Sequence, residues 1–357
     1  MRPLTLGIVV SDGAFSSTDE GLTAADGQTA PHDAEDGTID AAQGQAADPF
    51  GGGPQAADRT AEGIIDLRSA SDLVDAVESL GHQAVPLAAN DDLDLSLRRF
   101  PVDGCMLALH GRRGGCGDVQ SLLSLRGVPV IGPTGPSVSL AFDKIRARQM
   151  LAYHNLPVPA AVALGAQTRA SERALELLGW PCFVKPRRGA HGLGVAKVEA
   201  LDQVRVAVER AMDVDNELLL ERAVPGREIQ VVLLGERVLG FAEILERPNA
   251  HGVGLSMVTP PDLSRGCLDG IGNLARRGVA ALGLSDGLTR VDVLVHPRHN
   301  ETILEVEPLP PVHRASVVAR VALAAGLEYE ELVGAMLDRV PLAPRTTPRP
   351  APRHLLQ

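Results

Sequence analysis

A glycine-rich loop at 189–194 follows Lys185 and two arginines in this 357-residue sequence. The loop lies between two predicted strands, 182–185 and 195–198. Glycines let backbone amides approach phosphate oxygens, and the lysine and arginines supply positive charge. Because a strand follows the loop and no Gly-Lys-Ser/Thr is present, it is neither a Walker A loop nor a dinucleotide-binding fingerprint. Phosphate binding is one interpretation of this loop, and an ordinary hairpin turn is the other.

A predicted hairpin at 290–307 carries three carboxylates. Side chains alternate along a strand, so Glu305 and Glu307 share one face, and the facing strand brings Asp292 and Arg290 beside them. Converging carboxylates repel one another unless a cation lies among them, and hard oxygen ligands suit Mg²⁺ that also bridges nucleotide phosphates. A solvated strand face neutralised by arginine and lysine is the alternative for an isolated Glu-Val-Glu. The upstream glycine loop favours the metal site.

The elements around these residues predict an α/β (α+β) protein. Strands and a helix alternate through the first 133 residues, which indicates an N-terminal α/β domain. Its predicted elements are strands 4–10, 84–87, 104–109 and 128–131, helix 69–80 and a glycine-rich turn at 111–117. Farther along the chain, helices are predicted at 137–154, 170–178 and 274–282, and further strands at 218–221, 228–234, 238–244, 290–295 and 302–307.

An acidic segment interrupts the N-terminal domain. Residues 11–58 contain ten Asp or Glu, no Lys or Arg and almost no large apolar side chains. Such a segment cannot offset its own ordering entropy by burying apolar surface, so we predict a disordered insertion that loops out of the fold. The alternative is that its acids contact arginine-rich surfaces, such as Arg112, Arg113 or the C-terminal tail, and gate the site.

The composition argues against several classes of protein. Hydrophobic residues make up 45% of the chain and aromatic residues only 3%, which indicates a soluble globular protein without platforms for base stacking. The net charge is −11, but outside 11–58 the 34 basic and 35 acidic residues sum to −1, so no broad nucleic-acid surface is expected. No apolar run approaches the length of a membrane span. Four scattered cysteines without a CxxC pair indicate reduced thiols in the cytoplasm.

The order of the motifs resembles the D-alanine–D-alanine ligase family of the ATP-grasp fold. The resemblance covers nearly everything except the insertion and the tail. It rests on Gly51-Gly-Gly, Thr60-Ala-Glu62, Leu67-Arg-Ser69, the stretch from His110 to Gln120, Asp143-Lys144, Leu156-Pro-Val-Pro159, the stretch from Pro181 to Val198, Glu221, Gly226-Arg-Glu228, Arg290-Val-Asp292, Leu304-Glu-Val-Glu307 and Ser316. It implies three lobes: an N-terminal α/β domain (1–133), a small central α+β lid domain (134–220) and a C-terminal mixed-sheet domain with the metal site (221–340). A Pro/Arg-rich tail, 341–357, is expected to be extended.

The resemblance also implies a role for each matching residue. For ATP, the implied contacts are Lys144 and Lys185 to the phosphates, Glu221 near the adenine and Glu228 to the ribose hydroxyls. For Mg²⁺, or Mn²⁺ in its place, the implied ligands are Asp292, Glu305 and Glu307. For the amino acids, the implied contacts are Glu62 to the first ammonium group, His110 and Ser316 in the second subsite, and Arg290 to the oxyanion formed when the amine attacks.

Several positions depart from the family's pattern. Glu307 replaces an asparagine, and Pro311 replaces a glycine whose backbone N–H would support the tetrahedral oxyanion. Gly115 and Cys116 replace two acids, His191 and Gly192 replace a serine pair, and the tyrosine- and lysine-bearing lid is reduced to 247–254. Most of these changes fall around the amino-acid subsites rather than around ATP.

The sequence therefore predicts an ATP-dependent carboxylate-amine ligase that joins two amino acids through an acyl phosphate. Its expected substrates are small amino acids, without a nucleic-acid or membrane partner, and a homodimer is plausible from the resemblance. A specialised peptide or amide ligase and a nucleotide-binding pseudo-enzyme without ligase activity are the alternatives. An oxidoreductase of the dinucleotide-binding type is disfavoured because no G-x-G-x-x-G links a strand to a helix near the start.

Overall fold

Three separate sheets organise the chain. The structure, a computed structural model, describes residues 3–11, 54–165, 172–190, 192–246, 256–296 and 298–340. Most of the predicted insertion, His191, the reduced lid at 247–254 and the tail at 341–357 lie outside the described residues. Among the residues that are described, no helix is both long and apolar enough to cross a bilayer. None of the four cysteines, all of which the structure describes, forms a disulfide.

The N-terminal lobe is a parallel sheet with strand order β2-β1-β3, and helices alternate with its strands, as predicted for an α/β domain. Leu6, Ile8 and Val10 of the first strand pack in one core with Leu73 and Val77 of the first helix. The elements are β1 (Thr5–Ser11), α1 (Pro54–Ser79), β2 (Gln83–Ala89), α2 (Leu93–Arg99), β3 (Gly104–Ala108), α3 (Gly111–Gly115) and α4 (Asp118–Leu125).

Three N-terminal predictions are wrong in detail. Helix α1 begins at Pro54, inside the segment predicted to be disordered, because proline is well suited to the first helical position and alanines follow it. The predicted turn at 111–117 is helical at Gly111–Gly115. The predicted strand at 128–131 makes only a single parallel bridge, between Cys105 and Val130.

The central lobe is an antiparallel sheet with strand order β4-β7-β5-β6. Its elements, with the two helices that lead into it, are α5 (Gly135–Phe142), α6 (Lys144–Tyr153), β4 (Ala161–Gly165), α7 (Glu172–Leu178), β5 (Cys182–Pro186), β6 (Ala196–Val198), α8 (Leu201–Met212) and β7 (Glu217–Arg222). Since β7 belongs to this sheet, we propose that the boundary with the next lobe lies after Arg222.

The single helix predicted at 137–154 is wrong, because the structure has two helices that meet at Asp143. This residue has extended backbone angles, and its carboxylate accepts the N–H of Arg146 as the N-cap of α6. A side chain that satisfies a free backbone N–H begins a new helix. The break places Lys144 at the first position of α6.

The C-terminal lobe is an antiparallel sheet with strand order β10-β9-β8-β11-β12. Because every neighbouring pair of its described strands is antiparallel, the mixed sheet that the resemblance implies is wrong for this lobe. Its elements are β8 (Arg227–Leu234), β9 (Arg237–Glu246), β10 (Ser256–Val258), α9 (Arg265–Ala281), β11 (Leu288–His296), β12 (His299–Glu307), α10 (Val317–Ala324) and α11 (Tyr329–Leu337). The helix predicted at 274–282 begins earlier because Ser264 caps it. Val232 and Val318 share a core with Ile8 of β1, so this lobe packs against the N-terminal lobe.

The predicted hairpin is confirmed. Strands β11 and β12 are antiparallel, Arg290 pairs with Glu307, and Asp292 pairs with Glu305. The register shifts immediately after Asp292, so the regular alternation holds over the part of the hairpin that carries the carboxylates. The hairpin therefore places side by side the charged residues that the sequence pattern predicted to be neighbours.

Candidate active site

Charged residues of the central and C-terminal lobes line one cleft. The cleft lies between α6, the strands β5 and β7, and the hairpin β11–β12. Its charged lining consists of Lys144, Arg148, Lys185, Glu221, Asp292 and Glu305. The structure thus brings together five residues that the sequence singled out, and it adds Arg148.

Glu221 is buried and paired with two cations. Its carboxylate accepts hydrogen bonds from Lys185 Nζ at 2.5 Å and from Arg148 Nη1 at 3.0 Å. The Arg148 guanidinium also donates to the backbone carbonyl of Pro159. A buried carboxylate is stable only with such partners. Sequence reasoning missed Arg148, although its position four residues after Lys144 puts both on one helical face.

Lys144 joins the glycine loop to the hairpin. Its ammonium donates to the carbonyl oxygen of Gly189 at 2.6 Å and lies 3.2 Å from Glu305 Oε1. Burial alone would raise the pKa of Glu305, but the positive charges of Lys144, Lys185 and Arg290 outweigh it and lower the pKa to about 2. Glu305 is therefore an anion at neutral pH, and it balances the lysines of the cleft.

The ionisation of Glu305 makes a prediction about acid stability. Its folded-state pKa of about 2 lies below the ordinary value of 4.5, so the paired carboxylate stabilises the fold above pH 4.5. That contribution is lost as the pH falls from 4.5 towards 2. We expect the wild type to be more stable to urea than Glu305→Gln at pH 6, with the difference narrowing at pH 3. The difference should be small, because 39% of the side chain is exposed. A difference in the free energy of unfolding between wild type and Glu305→Gln that does not change with pH would contradict the low pKa of Glu305.

The carboxylate of Asp292 forms a bidentate ion pair with the guanidinium of Arg290. Arg290 Nε donates to Oδ1 at 2.7 Å and Nη2 donates to Oδ2 at 3.2 Å, while Gln230 Nε2 donates to Oδ2 at 3.3 Å. The same amide donates to Glu228 Oε1 at 3.3 Å. Burial by itself would lower the pKa of Arg290, but the negative charges of Asp292, Glu307 and Glu305 raise it. Gln230 thus links Glu228, the predicted ribose contact, to the predicted metal ligand.

The three predicted metal ligands are not assembled as one metal site. Within the described residues, no three His, Cys, Asp or Glu side chains are arranged to hold one ion. Asp292 is bound to Arg290 and Glu305 to Lys144, which explains why the carboxylates do not converge. Glu307 Oε1 accepts the N–H of Leu309 at 3.2 Å. Burial and the nearby negative charge of Glu305 raise the pKa of Glu307, although Arg290 opposes this.

A second charge cluster, missed by the sequence reasoning, fixes the glycine loop to α6. Arg187 donates from Nε and Nη2 to the carboxylate of Asp143 at 2.8 and 2.6 Å, and it also binds Glu217. Its carbonyl oxygen accepts the backbone N–H of Lys144 at 3.1 Å. Sequence reasoning assigned this arginine to phosphate charge, and its pairing with Asp143, 44 residues away, has no local signal.

The predicted amino-acid residues lie at the junction of the N- and C-terminal lobes. His110 follows β3 and is buried against Asp66 of α1. Ser316 is also buried, and its hydroxyl accepts the N–H of Ala319 at 3.2 Å as the N-cap of α10. The side chain of Glu62, in the first half of α1, lies outside the described residues. Burial lowers the pKa of His313, the negative charge of Asp72 opposes this, and the positive charge of Arg68 adds to it.

Comparison with known proteins shows which family this chain is similar to. The family model described as the D-ala D-ala ligase C-terminus matches residues 150–338, which include β5 to β12 and most of the cleft. A D-alanine–D-alanine ligase of Gloeobacter violaceus is 32% identical over 77% of this chain and 94% of its own length. This chain belongs to the D-alanine–D-alanine ligase family. The corresponding ligase of Geobacter sulfurreducens is 34% identical over 78% of this chain and 90% of its own length.

A solved structure confirms the predicted fold. The D-alanine–D-alanine ligase of Bacillus anthracis, solved in complex with ATP, superposes with a TM-score of 0.73. The match covers 94% of this chain and 97% of that one at 21% sequence identity. The family's ATP-grasp architecture, predicted from the order of motifs, is therefore the architecture of this chain. As a member of the family, the chain is an ATP-dependent ligase.

Proposed function

We propose that this ligase joins two small amino acids, D-alanine in both positions in the simplest case. The observation that carries the proposal is the cleft in which Lys144 and Lys185 face Asp292 and Glu305, within a chain that covers nearly the full length of its relatives. Cytoplasmic location, inferred from the scattered cysteines, and assembly as a homodimer, implied by the resemblance, complete the proposal. Nucleic acid and membrane are not proposed as partners.

The cleft has the charges that the first chemical step needs. A carboxylate that attacks the γ-phosphate of ATP is an anion approaching an anion, so positive charge must neutralise the phosphates before an acyl phosphate and ADP can form. Lys144 and Lys185 would supply that charge. Both lysines are bound to carboxylates in the structure, at Glu305 and Glu221, so phosphate oxygens would compete for ammonium groups that are already ordered.

The nucleotide site also includes groups beyond the lysines. Glu221 would lie near the adenine and Glu228 would bind the ribose hydroxyls, as the family resemblance implies. Glu228 is connected through Gln230 to Asp292, so the proposed ribose and metal positions are neighbours on the sheet formed by β8 and β11. Arg187 and Asp143 would hold the glycine loop and Lys144 in register around the phosphates.

The donor set fits Mg²⁺, or Mn²⁺ in its place. Asp292, Glu305 and Glu307 offer the hard oxygen ligands that Mg²⁺ prefers, and the low pKa of Glu305 keeps its carboxylate ionised at neutral pH. Bound Mg²⁺ would neutralise phosphate charge. Asp292 and Glu305 already lie beside each other across β11 and β12, so these two are the ligands that the hairpin positions most directly.

The second step would use the junction between the N- and C-terminal lobes. The amine of the second amino acid attacks the acyl carbon, loses one proton and displaces inorganic phosphate. Glu62 would bind the first ammonium group, His110 and Ser316 would line the second subsite, and Arg290 would stabilise the oxyanion. Pro311 cannot donate the backbone N–H that the family uses here, and the loss of one such donor costs about 3 kcal/mol. We propose that Arg290 carries a larger share of this stabilisation as a result.

Phosphate release from ATP and Mg²⁺ across a panel of D- and L-amino acids tests the proposal. We expect release that depends on D-alanine, with the dipeptide as the second product. Stimulation by another acid or amine would redirect the proposal to a specialised peptide or amide ligase. Thermal stabilisation by ATP and Mg²⁺ without turnover on any member of the panel would favour a nucleotide-binding pseudo-enzyme, the reading that Pro311 suggests.

A further inference from the structure

A buried carboxylate-imidazole pair joins the N-terminal helix to the end of the neighbouring strand. Asp66 Oδ1 of α1 lies 2.6 Å from Nδ1 of His110, which follows β3. The side chains are only 2% and 5% exposed. The two residues are 44 positions apart in the chain, so their contact is created entirely by the packing of α1 against the parallel sheet.

The hydrogen bond fixes which nitrogen of the ring carries the proton. An ionised carboxylate can only accept a hydrogen bond, so the proton on this side belongs to His110 Nδ1. In the neutral ring, Nε2 is then the acceptor nitrogen. A carboxylate that holds a histidine in this manner sets both its tautomer and its orientation, as in catalytic and metal-binding histidines.

The loop that follows β12 packs beside this pair. The N–H of Arg314 in that loop donates to the Asp72 carboxylate of α1 at 2.7 Å, and Leu309 and Val312 of the same loop line one cavity with Leu107 of β3. Asp72 and Arg68, both on α1, also act on His313. His110, at the end of β3, is therefore held by Asp66 close to the loop after β12, where the family resemblance implies the second amino-acid subsite.

We propose that Asp66 is a positioning residue for the ligase reaction, which holds His110 so that Nε2 is presented to the amine of the second amino acid. The inference rests on the proposed function for the place of the second subsite. A neutral Nε2 accepts a hydrogen bond from the N–H of the amine and so directs its lone pair towards the acyl carbon. Asp66 acts only through His110 and does not touch the substrate.

The variant Asp66→Asn tests the tautomer directly. An amide can donate as well as accept, so it no longer fixes the proton on Nδ1. In protein labelled with ¹⁵N-histidine, we expect the wild type to show His110 as the Nδ1-protonated tautomer and the variant to show a changed ring signal. The signal is assigned from its loss in His110→Gln. An unchanged His110 signal in Asp66→Asn would overturn the proposal.

Kinetics test whether the position of the ring matters for the reaction. We expect Asp66→Asn to lower kcat at saturating acceptor by about 10- to 100-fold, with the KM for ATP unchanged. The double variant Asp66→Asn with His110→Gln should be no slower than His110→Gln alone, because Asp66 acts through that ring. If the two substitutions lowered kcat by multiplied factors in the double variant, Asp66 would act independently of His110 and the proposal would be contradicted.

Asp103→Asn is the matched control for a merely structural effect. The carboxylate of Asp103 accepts the N–H of Thr5 at 2.8 Å in the same lobe, away from His110. The Asp103→Asn variant should leave the His110 signal and kcat unchanged. A loss of kcat equal to that of Asp66→Asn would count against a specific role of Asp66. A wild type without turnover would contradict the proposed function alone, because the ¹⁵N comparison decides the Asp66–His110 pair without catalysis.

Discussion

Replacing Glu305 with glutamine should lower ATP-dependent turnover by a factor of about 100 to 1000. Glutamine keeps the size and one oxygen of the side chain but removes the negative charge. In the structure that charge lies 3.2 Å from Lys144 and interacts with Lys185 and Arg290. Without it, both the proposed Mg²⁺ ligand and the anion that orders the lysines are weakened. Steady-state phosphate release at saturating ATP and amino acid measures the effect.

Glu301→Gln is the control for this loss of charge. Glu301 lies on the same strand, β12, and its charge acts on Cys267 of α9. It is not among the residues that line the cleft. The Glu301→Gln variant should retain turnover within about twofold of the wild type, because substitutions away from a site usually have little effect on the folded protein. Equal activity of the Glu305→Gln and Glu301→Gln variants would show that the hairpin carboxylates are not part of the nucleotide site.

Local patterns in the sequence were sufficient for the elements that carry this cleft. The alternation of side chains in a strand placed Glu305, Glu307, Asp292 and Arg290 together, and the structure pairs them across β11 and β12. The alternation of strands and a helix predicted the N-terminal α/β lobe, although not the direction or order of its strands. These features are local, because they depend on neighbours within a few residues or across a short hairpin.

The partners of the charged residues could not be predicted in the same way. Asp66 and His110 are 44 residues apart, and Arg187 and Asp143 are also 44 apart, so each pair exists only after the lobes have packed. The break between α5 and α6 has a related cause. Asp143 is both the N-cap of α6 and the partner of Arg187, and no local periodicity reveals the second role.

The carboxylates of the cleft are already neutralised by the chain's own cations. Lys144 lies beside Glu305, Lys185 beside Glu221 and Arg290 beside Asp292. Buried charges of one sign would otherwise repel each other at a considerable cost in stability. This pairing lets the protein hold a highly charged nucleotide site before any ligand arrives, and it makes the stability of the fold depend on the same residues as its chemistry.

Arg290→Met should therefore destabilise the protein by about 3 to 5 kcal/mol, the usual cost of leaving a buried charge without its partner. The Asp292 side chain is only 2% exposed and would retain only the amide of Gln230 among the three hydrogen bonds described above. Methionine fills much of the space of the arginine stem but offers no donor. Urea unfolding at pH 7 gives the free energy of unfolding of each variant, and we expect Asp292→Asn in the same chain to restore part of the loss.

Arg227→Met provides the comparison that separates burial from pairing. Arg227 forms the same kind of bidentate ion pair with Glu243, with both contacts at 2.6 Å, but 39% of the Arg227 side chain is exposed. Water screens such a pair, so its loss should cost no more than about 1 kcal/mol. If both arginine variants lost the same stability, the cost would come from the missing hydrogen bonds alone. A markedly larger loss at Arg290 would instead show that the buried charge of Asp292 has to be balanced for the C-terminal sheet to fold.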